Sequence, residues 1–219
     1  MQLQSAIVPP PEVYAEAFAA AQNLRLAPVE VVEEQPTGLF QRLARGSTKQ
    51  APSPPPEVVP SVVPAEQAFV RLTRFGNVSN DDTETLGLAL GVDAWDWPAP
   101  VVHVSGLVLD ITAPRPTITA ELDGDVDGLR TIFRRVLAVA QSQRFFLDRR
   151  IFHAQFPVAT IEVGDDVPLR ERLELDTAAF VGMEWQVTHF SLLALSFGDT
   201  SNTFEEIAVV PLGGAGLAG

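Results

Sequence analysis

The sequence predicts a mixed α+β protein built from two similar halves. Three observations carry that expectation. Segments in which apolar and polar residues alternate are interleaved with segments of 3.6-residue periodicity. The order strand–helix–strand–strand occurs once and then occurs again along the chain. Finally, 219 residues that are 46% hydrophobic suffice for one well-cored domain or for two small lobes sharing a cleft.

The elements follow in order. Gln2 to Val8 alternates Leu3, Ser5 and Ile7 against Gln4, Ala6 and Val8, the pattern of a strand. Pro9-Pro10-Pro11 stops it, and proline suits the first turn of a helix. That helix is expected over about Glu12 to Leu26, with Val13, Ala17, Ala20, Ala21 and Leu24 on one stripe. Periodicity is then lost from Pro28 to Pro64. Residues 46–64 read as a proline-rich linker insertion, extended in conformation. It is either a surface-loop insertion or a docking segment for a proline-recognising protein partner.

Phe69 to Val78 is a strand running into a Gly-Asn turn, and Asp81-Asp82 are candidates to cap a short helix ending near Leu90. Asp93 to Pro100 is a loop carrying Trp95 and Trp97, Val101 to Ile111 a strong strand, and Thr117 to Leu122 another. The clearest helix runs from Gly128 to about Arg144, where Leu129, Ile132, Phe133, Val136, Leu137 and Ala140 recur at three- and four-residue steps. Asp125 and Asp127 lie at its N-terminus, where carboxylates suit the dipole. Phe156 to Ile161 forms a second short strand, and Arg170 to Phe180 a polar helix or loop. Trp185 to Phe197 is expected as one long strand, Phe204 to Pro211 as a closing strand, and residues 213–219 as a flexible tail.

Composition removes several kinds of chemistry. The chain has no cysteine, so disulfides and thiolate chemistry are excluded. Three histidines without a His/Cys cluster predict no metal site. Asp123 to Gly128 has a faint calcium-loop look without the distal glutamate and reads better as a helix entry. There is no phosphate-binding glycine loop, no paired-carboxylate motif and no other sign of a cofactor. The first residues lack the basic start and apolar run of a secretory signal, and no apolar run is long enough for a membrane span, so a cytoplasmic monomer is expected. The net charge of −13 opposes long RNA, whose affinity rests on neutralised phosphates, and favours a small nucleotide or a protein partner.

Two stretches resemble the active-site strands of the 2'-5' RNA ligase family, the LigT-like two-histidine phosphoesterases. They are Phe69-Val70-Arg71-Leu72, followed by Gly76, and Val158-Ala159-Thr160-Ile161, preceded by Pro157. The opening Leu3 to Val13 is similar to the family's first strand, ending in alanine-isoleucine and prolines. The Pro114-Arg115-Pro116 turn matches the family's entry into its second half. Each family strand carries His-x-Thr; of those four signature positions only Thr160 matches here. The resemblance covers nearly the whole chain except 28–64. It implies a bilobal α+β fold, residues 1–212, with two pseudo-symmetric antiparallel sheets around a central cleft and helices outside. It also implies a family activity of RNA 2',3'-cyclic phosphodiesterase or 2'-5' ligase.

In the family the histidines act as acid and base on a phosphodiester, and imidazole suits both tasks because it titrates near neutral pH. Phe69 and Val158 can do neither, so a pseudoenzyme is expected. Its cleft would hold a nucleotide or phosphorylated ligand through Arg71 and Thr160, with Ser105, Ser191 and Arg115 as further candidates. Bland alternatives stand beside these: Thr160 as a β-former and Arg71 as an ion-pair partner. His103-Val104-Ser105 and His189-Phe190-Ser191 are both His-x-Ser on the third strand of a half. A displaced two-histidine site at His103 and His189 is the alternative reading, set against two hydrogen-bonded strand histidines. A third possibility is a protein-interaction module with a filled cleft.

Overall fold

The structure is a computed structural model that describes residues 1–22, 26–28, 60–110, 115–145, 151–161, 173–175, 180–197 and 202–213. Two antiparallel sheets, one of them a strongly curled half-barrel, carry the fold together with a few helices. In the first half, β1 (Gln2–Ile7) leads into α1 (Pro11–Gln22), β2 (Leu26–Pro28) and β3 (Pro60–Val62). Next come β4 (Val70–Asn77), α2 (Asn80–Asp93) and β5 (Val101–Asp110). The second half contributes β6 (Thr117–Gly124), α3 (Val126–Ser142), β7 (Gln155–Ile161), β8 (Leu173–Leu175), β9 (Trp185–Gln186), β10 (His189–Phe197) and β11 (Asn202–Pro211).

The four-stranded sheet has the order β11-β10-β1-β4 and the five-stranded sheet β3-β7-β6-β5-β9. The duplication is visible in these orders. β1, which precedes α1, and β6, which precedes α3, each lie inside their sheet. Each pairs on one side with a strand that follows its helix, β4 or β7, and on the other with β10 or β5. β2 and β8 form a separate two-stranded ribbon.

The helices form where their sequences allow. α1 buries Val13, Ala17 and Ala21, as its stripe predicts. α2 starts at a Ser79 cap whose Oγ accepts from the Asp82 amide at 3.1 Å. α3 starts at Asp125, whose carboxylate accepts from the Gly128 amide at 2.8 Å. It buries Leu129, Ile132, Val136 and Ala140. One main core joins both sheets and all three helices, with Trp97, Phe156 and Phe190 among its largest buried side chains.

Four expectations about elements need correction. The first helix ends at Gln22 and not near Leu26, which instead opens β2. Trp185 to Phe197 is not one strand: β9 pairs with β5 in the five-stranded sheet, whereas β10 pairs with β1 in the other. The break falls at Val187-Thr188, where the Val187 amide donates to Pro100 O and the Leu212 amide to Thr188 O, both at 2.8 Å. Apolar Trp185 and Val187 alternate with polar Gln186 and Thr188 up to His189 and Phe190, so no turn signal marked the change of partner. Pro60–Val62, expected within the linker, is an edge strand against β7, a place that tolerates proline. Leu173–Leu175, expected as helix or loop, is β8. Residues 46–59 and 214–219, and with them most of the linker and tail, lie outside the described residues.

Candidate functional site

The first signature strand places Phe69 just ahead of β4. Its ring is buried with Ala6 and Leu193 in a small apolar cluster separate from the main core, and Phe204 packs against it. This cluster is on the face of the sheet turned away from the main core, because Leu3 and Ile7, which alternate with Ala6 on β1, belong to that core. Register assigns the neighbours on this face. Arg71 and Ser191 flank Ala6, and Arg74 and Leu193 flank Gln4, with Glu206 beyond Leu193. Arg71 is exposed and Arg74 half-buried. The Ser191 hydroxyl donates to Glu206 Oε2 at 2.7 Å. Gln4 Nε2 is buried without a hydrogen-bond partner.

Phe69 and Phe204 belong to diagonally opposite corners of this sheet. Phe204 is level with Leu195, Gln2 and Asn77, at the far end of β4 from Phe69. Even so, the rings meet edge-to-face, with centroids 5.0 Å apart. Strand twist lifts one pair of opposite corners toward each other. Here the coiling is strong enough for β11 also to touch the turn Ala65–Gln67 that precedes Phe69. The Phe69 ring is therefore one end of an aromatic brace across a curled half-barrel.

The second signature strand is built differently. Val158 is fully buried in the main core. It is the extra residue of a β-bulge: Ala159 pairs with Ile118 and Pro157 with Thr119, leaving Val158 unmatched on β6. Its carbonyl instead accepts from the Val63 amide at 3.1 Å. Thr160 is half-buried and alternates with the core residues Ala159 and Ile161. Its cross-strand neighbours are Ser61 on one side and Thr117 on the other, and Thr117 is opposite Asp110. A row of hydroxyl and carboxylate groups thus crosses four strands, with Thr160 inside it.

His103 and His189 lie on β5 and β10, the structurally equivalent strands of the two sheets, and both are half-exposed. His103 is opposite Asp123. His189 is opposite Pro211, with Nδ1 3.1 Å from Thr188 Oγ1. Their neighbours Val102, Val104 and Phe190 point into the main core, so both imidazoles project from the other faces of their sheets. Ser105 is the bulged residue of β5, and its hydroxyl donates to Glu121 O at 3.4 Å. Arg115 is exposed ahead of β6, and its carbonyl accepts from Thr117 Oγ1 at 2.9 Å.

Arg71, Ser191 and the Phe69 ring thus share one sheet face, and Thr160 is on the other sheet. Gln4, Phe204 and Glu206 escaped the sequence reading. Strand parity assigns Gln4 to the face opposite Leu3, whereas the bulges in β4 and β11 move later residues across faces without a sequence signal. Away from these strands, burial, and secondarily the Glu66 carboxylate, push the Tyr14 phenol above its ordinary value. Its hydroxyl donates to Val63 O, tying α1 to the segment that enters β4. Among the described residues no group of three or more His, Asp and Glu side chains is placed to hold a metal ion.

LigT from E. coli, in its apo form, aligns with this chain at TM-score 0.61 over 96% of each, with 16% sequence identity. The fold is the LigT fold. LigT complexed with 3'-AMP aligns at TM-score 0.60 and 17% identity, over 96% of this chain and 97% of LigT. TT0787 of Thermus thermophilus aligns at 0.59 and 20% identity, over 98% of this chain and all of that protein. LigT has also been solved with ATP, NADP+ and phosphate. No protein-family model matches the sequence, and no curated protein does. Against the LigT fold, the sequence resemblance and the structural likeness agree on architecture across nearly the whole chain.

Proposed function

We propose that this chain is a degenerate 2'-5' RNA ligase-like protein, a pseudoenzyme that binds a nucleotide or other phosphorylated ligand in its cleft. The observation that carries the reading is the pair Phe69 and Val158. On the two strands that resemble the family signature, both histidine positions hold buried apolar side chains. Neither can move a proton, and losing one acid–base group alone typically lowers a rate by about 10²–10⁴. Binding needs less. The Arg71 guanidinium offers a planar fork of donors to an oxyanion, and Thr160 a hydroxyl. The nucleotide class of ligand is supported by the LigT complexes with 3'-AMP and ATP. Ser191 is the weaker candidate, since its proton already goes to Glu206 and that carboxylate disfavours a phosphate beside it.

The test is calorimetric titration with 3'-AMP and other nucleoside monophosphates, run beside a 2',3'-cyclic nucleotide turnover assay. Binding that weakens about tenfold or more in Arg71→Ala, without turnover, is the expected result. No binding, or binding indifferent to Arg71, overturns it.

The second reading is an active phosphodiesterase using His103 and His189. It is favoured by their placement on equivalent strands with both rings turned from the core. Turnover that vanishes in both His103→Ala and His189→Ala would establish it. Interaction with a protein through residues 46–64 is a third role, which deletion of that segment tests directly.

A further inference from the structure

An amphipathic helix on a protein surface ordinarily shows water its polar residues. α2 does not. Its inward side is complete, with Leu86 and Leu90 buried and Ala94 and Trp97 continuing the buried line through the 3-10 turn Ala94–Asp96. The outward side carries a second apolar line at i, i+4 and i+7: Leu88 is 66% exposed, Val92 81% and Trp95 51%. These spacings return to one side of a helix. No charged side chain interrupts the line.

The segment that carries this line has charge of one sign. From Phe75 to Pro114 the sequence contains no lysine or arginine, while Asp81, Asp82, Glu84, Asp93 and Asp96 surround the stripe. Three of these acids have local tasks: Asp82 bonds the Ser79 cap, Asp93 accepts from Trp97 Nε1 at 3.1 Å, and Asp96 pairs with Arg135 at 3.2 Å. Asp81 and Glu84, the latter one turn before Leu88, make no ion pair among the described residues. On the adjoining α3, Arg130 and Arg135 are each engaged by an aspartate, and Arg134 makes no ion pair among the described residues. A second copy of this chain would bring another −13 to the contact, which like-charge repulsion opposes.

We propose that the Leu88–Val92–Trp95 stripe is a docking surface for a basic amphipathic helix of another protein, its apolar side on the stripe and its Lys/Arg residues beside Asp81 and Glu84, which continue the same side of α2 toward its N-terminus. This is the helix-against-apolar-surface mode of recognition, with the acidic end of the stripe setting the sign of the partner. It is independent of any ligand in the cleft.

The probe is a synthetic helical peptide of roughly 18 residues, or five turns, with leucine on one side and arginine on its flanks. A twin carries glutamate in place of arginine. Trp97 and Trp185 are buried, so Trp95 is the tryptophan that an aqueous quencher reaches. The basic peptide should bind and protect Trp95 from iodide quenching, and the acidic twin should not. Val92→Asp should weaken binding about tenfold. That variant adds negative charge, so non-specific attraction of a cationic peptide would instead tighten. Tighter or unchanged binding in Val92→Asp overturns the proposal, as does equal binding of both peptides or binding of neither. Sedimentation decides the remaining occupant: a dimer abolished by Leu88→Asp would assign the stripe to a second copy and overturn it too. Both substituted positions are exposed, and an unchanged melting temperature verifies that each variant is folded.

Discussion

The two signature strands occupy equivalent places in their sheets and have been put to different uses. In the four-stranded sheet, Phe69 faces away from the main core and braces against Phe204 across a curled surface. In the five-stranded sheet, Val158 has been drawn by a bulge into the main core, and the other face keeps a row of Ser61, Thr160, Thr117 and Asp110. One strand thus packs an aromatic pair on the face turned from the main core, while the other carries a row of polar groups there. Pseudo-symmetry of backbone does not impose symmetry of use, because the sidedness of a strand changes with a single bulged residue.

The sharpest way to break this contrast is Phe69→Ala. If the brace holds the curled sheet, unfolding in urea should show a loss of about 3–5 kcal/mol, the range for removing a buried phenylalanine ring. A double-mutant cycle with Phe204→Ala should return a coupling of roughly 0.5–1.5 kcal/mol, the value of an aromatic pair beyond its buried area. A Phe69 variant as stable as the parent would show that the first sheet does not depend on the brace.

Val158→His probes the other strand. A buried imidazole without a partner should cost roughly 1–3 kcal/mol at pH 8. Burial lowers a histidine pKa, so the unfolded chain binds the proton first as pH falls through about 6.5. Stability should then decline further from about pH 7 to about pH 5, and a flat pH profile in urea melts would place residue 158 in contact with water.

A smaller effect is expected at Tyr14, which anchors α1 to Val63. Tyr14→Phe should cost about 1 kcal/mol. The phenol's pKa in the folded protein is raised above its ordinary value by burial and by Glu66. The unfolded chain therefore loses this proton first, and the wild type should lose stability as pH climbs past about 10. The phenylalanine variant should lack that component of the alkaline slope in thermal melts.

Thr160→Val should be the mildest for the fold, within about 0.5 kcal/mol, since the shape is retained on a half-buried strand position. Its effect belongs to the ligand: affinity for 3'-AMP should fall while melting temperature stays put. A valine variant that binds as well as the parent would remove Thr160 from the site.

Much of this architecture was legible in the chain itself. The α3 periodicity, the β1–Pro–α1 opening and the strands 69–78, 101–111 and 117–122 rest on local pattern and turn chemistry, and each appears within a few residues of its expected place. The division of Trp185 to Phe197 between two sheets was not legible. The alternation of Trp185 and Val187 with Gln186 and Thr188 leads from one piece into the other, and only the choice of partner strand separates them. Phe204 was equally hidden: its contact with Phe69 depends on coiling of a whole sheet, which no window of sequence records. Glu206 was missed because the register shift between Leu192 and Leu193 moves its side chain relative to simple alternation.

The position of β1 has a consequence for how the molecule is made. Residues 2–6 hydrogen-bond on one side to residues 191–195, across most of the chain's length. During synthesis β1 therefore emerges with one backbone edge that stays unpaired until residues 191–195 have left the ribosome. Contacts so remote in sequence slow folding, and an exposed apolar edge invites mispairing meanwhile. A nascent chain of this topology is a natural client for a chaperone that shields extended hydrophobic segments.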